Sequence, residues 1–322
     1  MKIFITRSIP EAGIKILRDK GYEVLINERA KGRPAGRDEI LNGVKGADAL
    51  LSVLTDKIDA EIMDAGLPTL KIIANMAVGF DNVDSEAAKQ RNIMVANTPG
   101  VLTDTVAEHT FSLMLAISHR IVEADKFTRA GLYKACGPML LLGSDLSGKT
   151  LGVVGLGRIG SRVAHHAAKG FGMKILYTDP KQSQEFEREF GAGFFENIDD
   201  LLPRSDYVSL HVPLLETTRH LIDERRLKLM KSTAYLINTA RGPVVDEKAL
   251  VNALKKGWIR GAAIDVFENE PRVEPELLKL NNIILTPHIA SATEETRDKM
   301  AVLAAKNIIE ALEGRMPPNI VK

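Results

Sequence analysis

Cysteine occurs once in the 322 residues, as Cys136. That excludes an internal disulfide and any cysteine-only metal site. Charge of one sign is also missing: 43 lysines and arginines stand against 42 acids, a formal net charge of +1. With no basic excess and no basic tract, there is no bias towards nucleic acid. No apolar run approaches a membrane span, and the apolar stretch of the opening MKIFITRSIPEAG is too short for a signal peptide. Low-complexity tracts and short-period repeats are absent. The expectation is a soluble cytoplasmic protein with no metal, no membrane and no nucleic-acid partner. At this length, with 45% hydrophobic residues, two domains with sizeable cores are the natural reading.

The chain is organised around Leu151–Gly160, LGVVGLGRIG. Gly155, Gly157 and Gly160 form a G-x-G-x-x-G after an apolar run, Thr150–Val154. Helical spacing follows in Ile159, Val163, Ala164, Ala167 and Ala168. Strand, tight turn and helix with three glycines meet the demands of a dinucleotide. One glycine makes the turn, one lets the backbone approach the pyrophosphate and one packs helix on strand. The helix N-terminus then faces the phosphates. A second run, Met173–Tyr177, leads to Asp179, nineteen residues after Gly160. A carboxylate there accepts from the adenosine ribose and repels a 2′-phosphate, so NADH is preferred over NADPH.

Elsewhere strand-like and helix-like segments alternate. Lys2–Thr6, Glu23–Ile26, Ala49–Leu54, Lys71–Asn75 and Ile93–Ala96 read as strands, with helices such as Ala12–Lys20 and Ser85–Arg91 between them. This predicts a first α/β domain with a parallel sheet. Thr103–His119 is apolar nearly all round, which fits a core helix or, the reading favoured here, a helix between domains or subunits. Residues 120–148 look irregular. Strand ends then fall near Val154, Thr178, Leu210, Asn238, Val266 and Thr286, and polar or special residues follow each one. Open α/β sheets bind ligands at such carboxyl ends. The last helix begins with a capping-box pattern, Ser291–Glu294, and is amphipathic enough to return to the first domain. The expected domains are 1–99 with 289–322, and 100–288.

A keto group that accepts hydride needs a proton donor, and an acid substrate needs a cation. Of seven histidines, only His211 and His288 follow strand ends, and position alone does not separate them. Arg241, in NTARGPVVDE, offers a planar fork to a carboxylate; a salt bridge to Asp246 or Glu247 is the alternative. DVFENEP supplies Asp265, Glu268 and Glu270, any of which could hold the histidine or be a solvated loop charge.

Together these segments resemble the D-isomer-specific 2-hydroxyacid dehydrogenases. VVGLGRIG, INTARGPVVDE, AAIDVFENEP and ILTPHIASAT match the family's signatures, as do NMAVGFDNVD and NTPGVLTDTVAEHT. The likeness is greatest to the glyoxylate and hydroxypyruvate reductase branch. The resemblance implies Arg241, Glu270 and His288 as the catalytic set, with His211 on the cofactor side. It implies cofactor contacts from Val106, Gly155, Gly157, Arg158, Ile159, Gly160, Asp179, His211, Val212, Pro213, Thr218, Thr239, Ala240 and Asp265. Leu54, Val78, Gly79 and Arg241 would meet the substrate. It further implies two doubly wound, Rossmann- or flavodoxin-like domains with the active-site cleft between them, closing on substrate, and a homodimer formed through the helix matching 103–119.

Three departures narrow the substrate. The stretch GPMLLLG at 137–143 lacks the aromatic residue frequent in glyoxylate reductases, which favours a larger or more apolar acid. No arginine stands near Val53 and no regulatory domain follows, against a phosphorylated substrate. Glu270 replaces the glutamine of formate dehydrogenases. The expected reaction is D-specific reduction of glyoxylate or hydroxypyruvate by NADH, weakening as pH rises. A broader D-2-hydroxyacid dehydrogenase for longer keto acids is the alternative within enzymes, and a nucleotide-sensing corepressor-like protein is the alternative outside them.

Overall fold

The computed structural model describes residues 1–321. The chain divides into two compact units, Met1–Leu102 with Ala292–Lys322, and Thr103–Ser291.

In the first unit the strands β1 (Lys2–Ile5), β2 (Glu23–Ile26), β3 (Ala49–Ser52), β4 (Ile72–Asn75) and β5 (Met94–Ala96) alternate with helices α1 (Glu11–Asp19), α2 (Arg37–Gly43), α3 (Ala60–Gly66) and α4 (Ser85–Gln90). All pairings are parallel, in the order β2-β1-β3-β4-β5. Strands β3 and β4 are buried along their whole length, as parallel strands covered on both faces must be. The C-terminal helix, Glu294–Leu312, packs on α1 and on β3, β4 and β5. Gly13 permits that contact, because a Cβ there would lie 2.7 Å from the Ala301 carbonyl oxygen. The helix cap is Thr293, whose side chain accepts from the Thr296 N–H, rather than Ser291.

The second unit opens with α5 (Thr103–Ser118) and α6 (Ile121–Arg129), the latter inside a stretch that reads as irregular in the sequence. A seven-stranded parallel sheet follows: β6 (Thr150–Val154), β7 (Lys174–Thr178), β8 (Gly193–Phe194), β9 (Tyr207–Leu210), β10 (Tyr235–Asn238), β11 (Gly261–Ile264) and β12 (Ile283–Leu285), in the order β12-β11-β10-β9-β6-β7-β8. Helices α7 (Arg158–Phe171), α8 (Gln184–Phe190), α9 (Ile198–Leu201), α10 (Glu224–Leu229) and α11 (Glu247–Lys256) complete it. The all-round apolar character of α5 is accounted for within this unit, where it packs on α7, β10, β11 and β12.

Strand order reverses between β6 and β9, and the register there is level. Val154 pairs with both Thr178 and Leu210, so Gly155, Asp179 and His211 leave the sheet side by side. Leu210, Asn238, Ile264 and Leu285 continue the same edge through successive pairings. Residues 239–241, 265–270 and 286–288 therefore emerge along one carboxyl edge.

Candidate active site

The glycine loop divides its labour in the way its spacing implies. Gly155 has φ 94°, and a Cβ on it would meet the His211 carbonyl oxygen at 2.8 Å. At Gly160 a Cβ would lie 2.1 Å from the Gly155 carbonyl oxygen, so the helix can approach the strand only without a side chain. Gly157 differs: a Cβ there would meet nothing within 4 Å. Its bareness serves no contact within the protein and leaves room for a ligand against the backbone. Arg158 and Ile159 open the 14-residue α7, whose first N–H groups have no partner within the helix. These residues fit a pyrophosphate.

Asp179 lies at the rim of a cleft of about 410 Å³, lined also by Leu156, Ser161, Lys181, Glu185 and Glu189. Its Oδ2 accepts the Leu156 N–H at 2.8 Å and its Oδ1 accepts the Lys181 N–H at 3.0 Å. The carboxylate thus ties the glycine loop to the end of β7. Lone pairs remain for ribose hydroxyls.

His211 does not share the features of His288. It sits half-buried at the end of β9, its Nε2 2.8 Å from Ser209 Oγ, and burial pushes the imidazole down to about 3. A ring held neutral suits a wall of the cofactor site and not a proton donor. Val212 and Pro213 continue from it. Thr218 closes the next turn, its hydroxyl donating to the Pro213 carbonyl at 2.6 Å and accepting the Leu215 N–H at 2.8 Å. Thr239 Oγ1 lies 2.9 Å from Thr110 Oγ1 on α5, one turn after the buried Val106.

Arg241, Glu270 and His288 lie on three neighbouring loops of that edge. His288 Nδ1 is 2.8 Å from Glu270 Oε2, and the other oxygen of Glu270 accepts the Phe267 N–H at 3.0 Å. With Nδ1 engaged, Nε2 is the ring atom left for a ligand. Arg241 reaches back to donate to the Ala240 carbonyl at 2.8 Å. The two acids close to it in sequence are otherwise occupied: Asp246 caps α11 on the Ala249 N–H, and Glu247 accepts the Glu268 N–H.

Asp265 is buried, and its carboxylate is committed to the loop that carries His288. It accepts from the Thr286 hydroxyl at 2.6 Å, the Ile289 N–H at 2.9 Å and the Ala290 N–H at 2.8 Å. Its carbonyl accepts the His288 N–H at 2.8 Å. Burial alone would raise this carboxyl, but these donors and nearby His109 outweigh it and hold it below the usual range. His288 itself has φ 54°, a left-handed conformation that the Asp265 bonds sustain.

In the first unit, the Ala77 carbonyl accepts the Thr98 N–H at 2.8 Å and the Val78 carbonyl accepts the Asn97 side-chain amide at 2.7 Å. A carbonyl and the following N–H point oppositely across a trans peptide. Both bonds therefore leave the N–H groups of Val78 and Gly79 directed away from Asn97 and Thr98. Leu54 follows β3 and is partly buried.

The sequence assigns no role in the site to Asn238 or His220, and offers Glu247 only as a salt-bridge partner for Arg241. Asn238 is buried; its side chain accepts the Ala240 N–H at 3.0 Å and donates to the Arg241 carbonyl at 2.9 Å, shaping the turn. An asparagine ending an apolar strand is a signal for such a turn. Nothing in the sequence announces the His220–Glu268 pair, whose members are 48 residues apart. Among the described residues there is no cluster of histidine, cysteine or acid suited to a metal, and no helix is long and apolar enough to cross a membrane.

Residues 111–290 match the family model described as the NAD binding domain of D-isomer specific 2-hydroxyacid dehydrogenases. A glyoxylate reductase of Thermococcus litoralis is 52% identical, covering 99% of this chain and 96% of that protein. A Thermus thermophilus protein of known structure superposes with a TM-score of 0.93 at 44% identity, over 100% of both chains. An NADPH-dependent glyoxylate/hydroxypyruvate reductase of Sinorhizobium meliloti gives 0.84 at 31% identity, over 99% of this chain and 96% of that one. The chain belongs to the D-isomer specific 2-hydroxyacid dehydrogenase family and is an NAD(P)-dependent oxidoreductase.

Proposed function

We propose that this protein reduces a small 2-keto acid, glyoxylate or hydroxypyruvate, to the D-2-hydroxy acid with NADH. The observation that carries the reading is the 2.8 Å contact between His288 Nδ1 and Glu270 Oε2, on the same sheet edge as Arg241. Full-length likeness to glyoxylate reductases supports the choice of acid. When bound, the nicotinamide supplies the hydride. Arg241 holds the substrate carboxylate through its planar fork. His288 donates a proton from Nε2 to the keto oxygen, and Glu270 stabilises the imidazolium and fixes its orientation. Leu54, Val78 and Gly79 are the first unit's substrate contacts in this reading, the two N–H groups suiting a carboxylate.

Preference for NADH rests on Asp179. The cleft beside it also carries Glu185 and Glu189 against a single lysine, Lys181. A 2′-phosphate would bring about two further negative charges into that setting. The protein is cytoplasmic in this reading.

The enzyme is a homodimer in this reading. Ile121, Val122, Leu132, Tyr133, Met139 and Leu142 are all exposed, at 38–76%. So many exposed large apolar side chains within residues 121–142 suit a partner. Light scattering on the eluting protein should give twice the chain mass, and Leu132→Asp with Met139→Asp should shift it to one.

The function is tested by following NADH, then NADPH, absorbance against glyoxylate, hydroxypyruvate, pyruvate and phenylpyruvate. Turnover of the first two acids with NADH is expected. Silence from all four while NADH still binds would overturn the enzyme reading in favour of a nucleotide-sensing role.

A further inference from the structure

Outside the three residues that carry the chemistry, one group of side chains joins their loops. A Cβ on Gly242 would lie 1.9 Å from the Phe267 carbonyl carbon and 2.4 Å from the Glu268 nitrogen. The turn that presents Arg241 is thus laid flat against the Phe267–Glu268 peptide, two residues before Glu270. That peptide is gripped from two sides. Its N–H donates to Oε1 of Glu247 at 2.7 Å, a side chain sealed among buried residues at the start of α11. Glu268's own carboxylate meets His220 Nε2 at 2.7 Å and Arg219 at 3.5 Å. His220 in turn donates its backbone N–H to the Pro243 carbonyl at 2.7 Å, in the same turn as Gly242. Burial, and then the neighbouring Glu268, Glu274 and Glu270, push the Glu247 carboxyl above its usual range; only the Glu268 N–H opposes them. Four carboxylates converge here, and only specific donors make that arrangement tenable.

We infer that Glu268, clasped by Glu247 through its N–H and by His220 through its carboxylate, is a positioning residue that sets Arg241 and Glu270 in register with each other. This rests on the catalytic roles proposed above for Arg241, Glu270 and His288. Glu268 touches no reacting atom in this account. It acts by fixing the short loop from which Glu270 reaches His288. Losing the clasp frees that loop, so Glu270 spends less time on Nδ1 and the imidazolium is less favoured when the proton is needed. Binding of NADH at the glycine loop is untouched.

The test compares wild type, Glu268→Gln, His220→Gln and Glu247→Leu, each assayed with NADH. For Glu268→Gln, kcat for keto-acid reduction should fall about tenfold, less than the roughly 10²–10⁴ worth of the acid–base group it positions. KM for NADH should stay within about twofold, and the alkaline limb of the pH–rate profile should move to lower pH. His220→Gln keeps a neutral donor to the Glu268 carboxylate and should lose less kcat than Glu268→Gln. A crystal structure of Glu268→Gln should show the His288–Glu270 separation lengthened beyond hydrogen-bonding distance, or the loop in more than one conformation. If Glu268→Gln fails to melt cooperatively, Glu247→Leu, which removes the acceptor of the Glu268 N–H, carries the same readouts. An active wild type whose folded variants keep kcat, pH limb and the 2.8 Å contact would overturn the inference. A wild type inactive on every keto acid would instead sink the catalytic reading, and the crystallographic comparison would still decide whether the clasp sets the contact.

Discussion

Glu270 bridges two fixed points: it holds His288 Nδ1 at 2.8 Å with one oxygen and the Phe267 N–H at 3.0 Å with the other. Because the second bond anchors the carboxylate to its own loop, the first fixes the imidazole in orientation as well as in charge. His288→Gln should lower kcat by about 10²–10⁴, and Glu270→Gln by less, since the imidazole can still donate its proton. The double variant should be no slower than His288→Gln alone, because the two act as one unit. Steady-state kcat for the four enzymes checks this; additive losses would mean that Glu270 acts apart from the histidine.

Arg241→Lys should act mainly on substrate binding. A lysine keeps the charge but offers a point where the guanidinium offers a fork. KM for the keto acid should rise about tenfold or more, equivalent to roughly 1.4 kcal/mol. KM for NADH should change little. An unchanged KM for the acid would remove Arg241 from the carboxylate.

Two glycines of one motif should fail in different ways. Gly160→Ala drives a Cβ into the Gly155 carbonyl oxygen, 2.1 Å away, and should destabilise the fold by about 1–3 kcal/mol. At Gly157 a Cβ meets nothing within 4 Å, so Gly157→Ala should melt like wild type yet bind NADH more weakly. Melting temperature and NADH fluorescence titration separate the two. Wild-type affinity in Gly157→Ala would mean that the open space is not where the cofactor lies.

Much of this was legible in the sequence for a physical reason. Parallel strands buried on both faces write themselves as apolar runs, so β3, β4, β6, β9 and β10 are visible within a residue or two. The carboxyl ends of β6, β7, β10 and β12 then mark where Gly155, Asp179, Arg241 and His288 lie. Short amphipathic pieces are harder: the two-residue β8 carries no periodicity, and α6 has no buried residue. The choice between His211 and His288 is closed to spacing, because both follow strands. What separates them is their surroundings, Ser209 and burial for one, Glu270 for the other. The same holds for Asp265, whose expected place near the cofactor says nothing of the loop it organises. Side chains that bond across 21 or 48 residues, as Glu247 and His220 do to Glu268, leave no local trace.

His211 carries a prediction about acid stability. Burial pushes its imidazole down to about 3, whereas an unfolded histidine titrates near 6.5. A group depressed on folding binds protons more readily in the unfolded chain. Its cost is therefore absent above pH 6.5 and grows as pH falls from there towards 3. By pH 5 the penalty reaches about 2 kcal/mol at most, 1.5 units at about 1.4 kcal/mol each. His211→Gln removes the titration while offering Ser209 a polar partner. Melting temperatures measured from pH 8 to 5 should therefore fall less for His211→Gln than for wild type, with the curves converging or crossing below about pH 6. Parallel curves over that range would show that His211 takes up its proton in the folded enzyme. The imidazole would then be free to enter the acid–base chemistry assigned to His288.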